Sequence, residues 1–184
     1  MYQPDFLSAE EEASLVAEVA SLTLSEAHFH QYRARRRVAM FGEGAGDEAG
    51  RAQDDGALAV CSPFPPFLSS IRERVAAWRG VPVAHFVQAL VTEYQPGVPI
   101  GWHRDAPQYG IVVGLSLAAA ARMRFRPVDA TGPRNPSFAI ELAPRSAYVM
   151  QGDIRARWQH HIPPVSRLRY SITLRTLVKR VATA

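Results

Sequence analysis

Five residues in this chain could do chemistry together: His103, Asp105, His160, Arg169 and Arg175. His-x-Asp with a further histidine far downstream is how a 2-His-1-carboxylate metal face reads in a sequence, and such a face suits non-heme Fe(II) with positions left open for oxygen and a co-substrate. Arg169 and Arg175 lie six apart, soon after the distal histidine. Two guanidinium forks, each able to pair with a carboxylate through two parallel hydrogen bonds, suit a small dicarboxylate held at both ends.

The elements must bring these residues to one place. On an extended segment His103 and Asp105 leave the same face, while Arg104 points away. One short strand can thus supply two ligands, and the third must come from a distant strand, for which Trp158-Gln159-His160-His161-Ile162-Pro163 is the candidate. Adjacent strand residues face opposite ways, so only one of His160 and His161 reaches the ion; Trp158, His160 and Ile162 share a face. Cys61 is alone, which removes any thiolate set, and structural zinc wants four protein ligands. Three nitrogen and oxygen ligands favour iron or another catalytic metal. The alternation Arg169, Ser171, Thr173, Arg175 places all four on one strand face. Alternating arginines ordinarily mark a solvated face, but their place just after the metal histidine favours co-substrate binding.

The chain opens with a helix. Ser8 and Glu11 form a Ser-x-x-Glu capping pattern, and Leu15, Val16 and Val19 make an apolar stripe. A second helix is expected from Pro66 to about Arg79, with proline at its start and Gly80 at its stop. After Gly80 the chain reads as strand, near 85–95, 111–117, 121–127, 137–142, 147–151, 155–162 and 168–179. The fold class is therefore α+β, mainly β: a double-stranded β-helix, the cupin-like jelly roll, with the N-terminal helices packed on one sheet. At 184 residues a single domain spanning 1–184 is expected. Its least regular stretch, about 42–66, is rich in glycine and acids and reads as a flexible functional loop over the mouth of the site.

Composition narrows the setting. The longest apolar run, Ile111 to Ala121, is too short to span a bilayer. Asp5, Glu10, Glu11 and Glu12 come early, with no basic and apolar leader, so a soluble, cytoplasmic protein without membrane association, and a monomer, is expected. The net charge is +4, and of 21 basic residues only Lys179 is a lysine. Arginine favours bidentate pairing with anions, though an Ala- and Arg-rich composition also follows from base composition alone. Arg33, Arg35 and Arg37 would share a strand face, either along a phosphate backbone or as a solvated edge strand. Arg122, Arg124 and Arg126 alternate with Met123 and Phe125, as in a half-buried strand with a basic outer face.

Several segments carry a resemblance. They are Thr92-Glu93-Tyr94-Gln95-Pro96-Gly97 leading into Gly101-Trp102-His103-Arg104-Asp105, then Ser146 to Gly152 leading into Arg155 to Pro163, then Arg169-Tyr170-Ser171-Ile172-Thr173-Leu174-Arg175. In order and wording they resemble the AlkB family of Fe(II)/2-oxoglutarate-dependent dioxygenases, over roughly residues 85–180. The resemblance implies Fe(II), 2-oxoglutarate and O2 as metal and co-substrates. It assigns His103, Asp105 and His160 as iron ligands, since the family writes His-Gly-Ile-Pro where this chain has His160-His161-Ile162-Pro163. Arg169, helped by Tyr94, would bind the distal carboxylate of 2-oxoglutarate, and Arg175 would sit by the carboxylate next to the keto group. The family's founding pattern has Asn in the slots of Thr92 and Ser171, so co-substrate contacts are rearranged here. It has an acid used in base recognition where this chain has Pro107.

The implied activity is oxidative demethylation of N-alkylated bases in DNA or RNA, as in DNA repair, releasing formaldehyde, succinate and CO2. Alkylated nucleic acid is then the expected partner, with the base taken out of its stack. Pro107 and the acidic loop keep a second reading open, a family oxygenase acting on a protein side chain or small molecule. A non-catalytic nucleic-acid-binding module is the third, opposed by the complete triad and both arginines.

Overall fold

The computed structural model describes residues 1–29, 32–42, 62–129 and 136–178. Two helices precede most of the sheet. In α1 (Ala9–Ala20) the Ser8 hydroxyl accepts from the Glu11 amide at 3.2 Å while the Glu11 carboxylate accepts from the Ser8 amide at 2.7 Å, so the capping box closes in both directions. In α2 (Pro66–Arg79) proline begins the helix, where a missing N–H costs nothing, and Gly80 ends it at φ 64°, a left-handed conformation that suits a residue without Cβ. No helix among the described residues is long and apolar enough to cross a membrane.

Eleven strands are described. They are β1 (Tyr2–Gln3), β2 (Ser25–Phe29), β3 (Tyr32–Gly42), β4 (Phe86–Tyr94), β5 (Ile100–His103), β6 (Tyr109–Leu117), β7 (Ala121–Pro127), β8 (Phe138–Leu142), β9 (Ala147–Met150), β10 (Trp158–Ile162) and β11 (Arg169–Leu177). They form a seven-stranded sheet ordered β1-β9-β6-β11-β4-β3-β2 and a four-stranded sheet ordered β5-β10-β7-β8. All named strand pairs are antiparallel. The architecture is the expected mainly-β jelly roll.

Period-2 alternation gives the large sheet two different faces. Ala89 and Val91 of β4, Val113 and Leu115 of β6, and Ile172 and Leu174 of β11 pack with Leu15, Val19, Leu68, Ile71 and Val75 of the two helices. The alternate residues turn inward toward the small sheet. There Val112, Tyr148 and Met150 meet Met123, Phe125, Leu142 and Ile162 in a second core, which forms the wall of the site.

Two expectations need correction. Residues 155 and 156, read as the start of a strand, belong to the short helix α3 (Asp153–Ala156), and the strand begins only at Trp158. Gly152 at φ 60° sets up that turn, which the apolar-alternation reading passed over. The β3 strand is also no edge strand, because it lies between β4 and β2. Arg37 is bound to Glu93 of β4 at 2.9 Å rather than left for a phosphate, Arg35 is exposed, and the Arg33 side chain falls outside the described residues. Most of the loop expected at 42–66, residues 43–61, lies outside them too.

Candidate metal and co-substrate site

A narrow cavity lies between the two sheets. His103 ends β5 and stands directly opposite His160 of β10 in their antiparallel pairing, which brings the two rings to 4.2 Å between centroids. Asp105 follows two residues later and is buried beside them. Ligand atoms of His103, Asp105 and His160 all lie within 4.8 Å of one another, so one ion could be held by all three. Arg104 leaves the other way and donates to the Ala156 carbonyl at 3.0 Å. His161 does not enter the cluster. Its Nδ1 lies 3.1 Å from the Ile100 carbonyl, and its ring packs 4.7 Å from Trp102.

Electrostatics prepares these groups for a cation. Burial, then the nearby His103, push His160 down to about 3, so its ring is neutral at ordinary pH and keeps a lone pair. Burial alone would raise the Asp105 carboxyl; His160, Arg175, His103 and Arg155 outweigh it and hold the group at about 2. His103 Nδ1 sits 2.8 Å from the Gly101 carbonyl; that contact assigns the proton to Nδ1 and turns Nε2 toward the cavity as the available lone pair.

Beneath the triad is a cluster of hydrogen bonds. Arg155 of α3 donates Nη1 to the Asp105 carboxylate and carbonyl, both at 3.2 Å, and Nη2 to the Ala106 and Tyr109 carbonyls, both at 2.8 Å. Arg175 Nη2 stands 3.7 Å from the other Asp105 oxygen, and its Nη1 donates to Gln88 at 3.1 Å. Gln88 also accepts from the Tyr109 hydroxyl at 2.6 Å. Asp105 is thus fixed by a guanidinium on each carboxylate oxygen.

The other end of the cavity differs. Arg169, wholly buried, pairs in register with Tyr94 and places its guanidinium carbon 5.0 Å from that ring's centroid. It donates Nη2 to Ser116 at 3.2 Å, whereas Nε and Nη1 have no hydrogen-bond partner among the described residues. Unsatisfied donors on a buried charge are costly unless a ligand meets them, and a carboxylate fits them. Thr92 and Ser171, paired with each other, line the same cavity together with Thr173. Tyr148 reaches in from β9 across Gly114, where any Cβ would sit 2.2 Å from the tyrosine Cζ. Burial pushes the Tyr148 phenol well above its usual value against the pull of Arg169, so it stays a neutral donor.

Every residue that spacing or the resemblance offered as a metal or co-substrate contact lines this cavity: Thr92, Tyr94, His103, Asp105, His160, Arg169, Ser171 and Arg175. Four residues of consequence were not singled out. Gln88 had a signal, being polar in an apolar strand and in phase with Thr92 and Tyr94. Tyr148 had one as well, in phase with Met150. Arg155 lies on a single helical turn with no period to read, and Arg36 was hidden among its charged neighbours.

Comparison with known proteins agrees with this geometry. The model of the 2OG-Fe(II) oxygenase superfamily matches residues 1–176. An uncharacterized protein of Acanthamoeba polyphaga mimivirus is 32% identical over 105 residues, covering 50% of this chain and 49% of that protein. An Arabidopsis thaliana alkylated DNA repair protein, an ALKBH8 homolog, is 28% identical over 179 residues, covering 87% of this chain and 49% of the relative. The chain spans about half the length of the curated relatives it matches. The solved structure of OsALKBH1 superposes with a TM-score of 0.69 at 16% identity, over 96% of this chain and 97% of that one, a likeness of fold. A family match over nearly the whole length, on a jelly roll that gathers two histidines and an aspartate in one cavity, means that the chain belongs to the 2OG-Fe(II) oxygenase superfamily.

Proposed function

We propose that the chain is an Fe(II)- and 2-oxoglutarate-dependent dioxygenase that removes N-alkyl groups from bases of DNA or RNA by oxidation. The observation that carries the reading is one cavity holding a three-ligand cluster at one end and a buried arginine with unmet donors at the other. His103, Asp105 and His160 would hold the metal, and Arg169 with Tyr94 would take the distal carboxylate of 2-oxoglutarate. Arg175 would serve the carboxylate beside the keto group, while Thr92 and Ser171 offer hydroxyls to the same cavity.

When bound, Fe(II) with 2-oxoglutarate and O2 supplies the oxidation, yielding succinate and CO2 together with a hydroxylated carbon; an N-bound hydroxymethyl then leaves as formaldehyde. The chain's own residues bind and orient. Arg155 and Arg175 fix the Asp105 carboxylate, and the apolar wall of Val112, Met123 and Ile162 excludes water. Two observations support a nucleic-acid substrate. One is the relative in alkylated DNA repair. The other is the row of Arg122, Arg124 and Arg126 on the outer face of the small sheet, with Arg126 stacked 4.4 Å over Trp102.

A second reading, a protein side chain or small molecule as substrate, is favoured by one feature. Asp105 is the sole carboxylate among the described residues lining the cavity, and it is already engaged, so no other acid there would greet a cationic alkylated base. The test is product release from anaerobically reconstituted Fe(II) protein given methylated single-stranded oligonucleotide. Formaldehyde that requires both oligonucleotide and 2-oxoglutarate supports the first reading. Succinate without formaldehyde moves the substrate to the second, and neither product, with iron verified in place, overturns both.

A further inference from the structure

The cavity holds one more cation than the proposed site uses. Arg36 of β3 is only 9% exposed and lines the cavity with Thr92, Tyr94 and Arg169. Register fixes its position. Arg37 pairs with Glu93 and Val38 with Thr92, so Arg36 stands level with Tyr94, which itself pairs with Arg169. Arg36, Tyr94 and Arg169 therefore form one row across three hydrogen-bonded strands, with neighbouring strands about 4.8 Å apart. Arg175 lies six residues further along β11, level with Gln88 and beside Asp105, so Arg36 belongs to the end of the cavity away from the triad.

Among the described residues Arg36 has no hydrogen-bond or ion-pair partner, in contrast to its neighbour Arg37, which is held by Glu93. A guanidinium cannot shed its proton to escape burial, and a charge largely withdrawn from water is costly unless an opposite charge meets it. A ligand that brings the counter-charge removes that cost. A carboxylate presents about four lone-pair sites, more than the two unmet donors of Arg169 can fill.

We propose that Arg36 is a second cation for the distal carboxylate of 2-oxoglutarate, so that two arginines grip it from either side of Tyr94. This rests on the co-substrate site proposed above. Position decides for the co-substrate over the substrate undergoing oxidation, because that substrate must approach the metal and Arg36 stands at the opposite end.

The test is calorimetric titration of the full chain loaded with redox-inert Mn(II). The ligands are 2-oxoglutarate and 2-oxobutanoate, which has the same keto-acid head and no distal carboxylate. Arg36→Met is expected to weaken 2-oxoglutarate binding about 10- to 100-fold, the worth of a hydrogen bond to a charged group. Binding of 2-oxobutanoate should stay the same, and Arg36→Lys should recover part of the loss, which simple misfolding would not allow. Unchanged 2-oxoglutarate affinity in Arg36→Met overturns the assignment, as does an equal loss for both keto acids. If the wild-type protein itself shows no preference for 2-oxoglutarate over 2-oxobutanoate, the proposed co-substrate site fails, and Arg36 with it.

Discussion

The two ends of the cavity are built on different principles. At the metal end the charges face one another: Asp105 takes Arg155 on one oxygen and Arg175 on the other, and Gln88 accepts from both Tyr109 and Arg175. At the distal end Arg169 keeps two donors without partners among the described residues, and no carboxylate among them stands against Arg36 on the cavity wall. Folding alone completes the first end. The second is complete only when an anion arrives. The difference matches what each end must do, since a metal-binding carboxylate has to be aimed before the metal comes, whereas a co-substrate that is consumed each turnover must enter and leave.

The contrast predicts unequal costs of mutation, largest where internal pairing is densest. Asp105→Ala should abolish metal binding and also strand two buried guanidiniums. Removing one partner of a buried pair costs about 3–5 kcal/mol, or on the order of 10 °C in Tm for a chain of this size. His160→Ala should lose the metal with a much smaller drop, because His160 is neutral and its removal strands no charge. Thermal melts of the metal-free variants check this, and an Asp105→Ala protein as stable as His160→Ala would erase the distinction between the two ends.

Arg155→Met should come next. It takes one donor from each of the carbonyls of Asp105, Ala106 and Tyr109, although Ala106 keeps the Tyr109 amide. The expected loss is about 2–3 kcal/mol, with metal affinity down roughly 10- to 100-fold because the ligand carboxylate is no longer aimed. A chelator competition reads the second effect directly, and wild-type affinity would assign Arg155 to loop packing alone.

Gly114→Ala tests the wall between the ends. Its Cβ would fall 2.2 Å from Tyr148 Cζ, so the ring must swing out of the cavity or the strands must part. Overpacking of this kind costs about 1–3 kcal/mol. Chemical denaturation would measure it, and a neutral result would mean that Tyr148 moves freely.

The spacing of the chain made much of this visible, for a physical reason. Strand side chains alternate with a period of exactly two residues in sequence, so His103 with Asp105, and Arg169 through Arg175, could be placed on common faces before any pairing was known. The neighbours His160 and His161 separated on the same principle, one into the cavity and one against Trp102. What stayed hidden depends on register or on irregular backbone. Arg33, Arg35 and Arg37 read as one basic strand face, which leaves Arg36 on the other, and only pairing with β4 shows that this other face lines the cavity. Arg155 sits on one turn of helix that the sequence presents as the lead-in to a strand. The β5 strand is four residues long and contains Gly101, too little for alternation to show.

The smallest expected change in stability is at the distal end, and it sharpens the comparison most. Arg169→Met removes a buried cation whose one hydrogen-bond partner among the described residues is the Ser116 hydroxyl. The lost hydrogen bond and the relief of burying an underpaired charge offset each other, so stability without ligand should shift by no more than about 1 kcal/mol. The response to ligand should differ sharply. A ligand that binds only the folded state raises Tm according to its affinity, so 2-oxoglutarate with Mn(II) should stabilise the wild type and leave Arg169→Met almost unmoved. Mn(II) alone should stabilise both equally, since the triad is intact in each. If Arg169→Met unfolds as readily as Arg155→Met in the absence of ligand, then Arg169 is part of the internal framework and the distal end is not kept open for an anion.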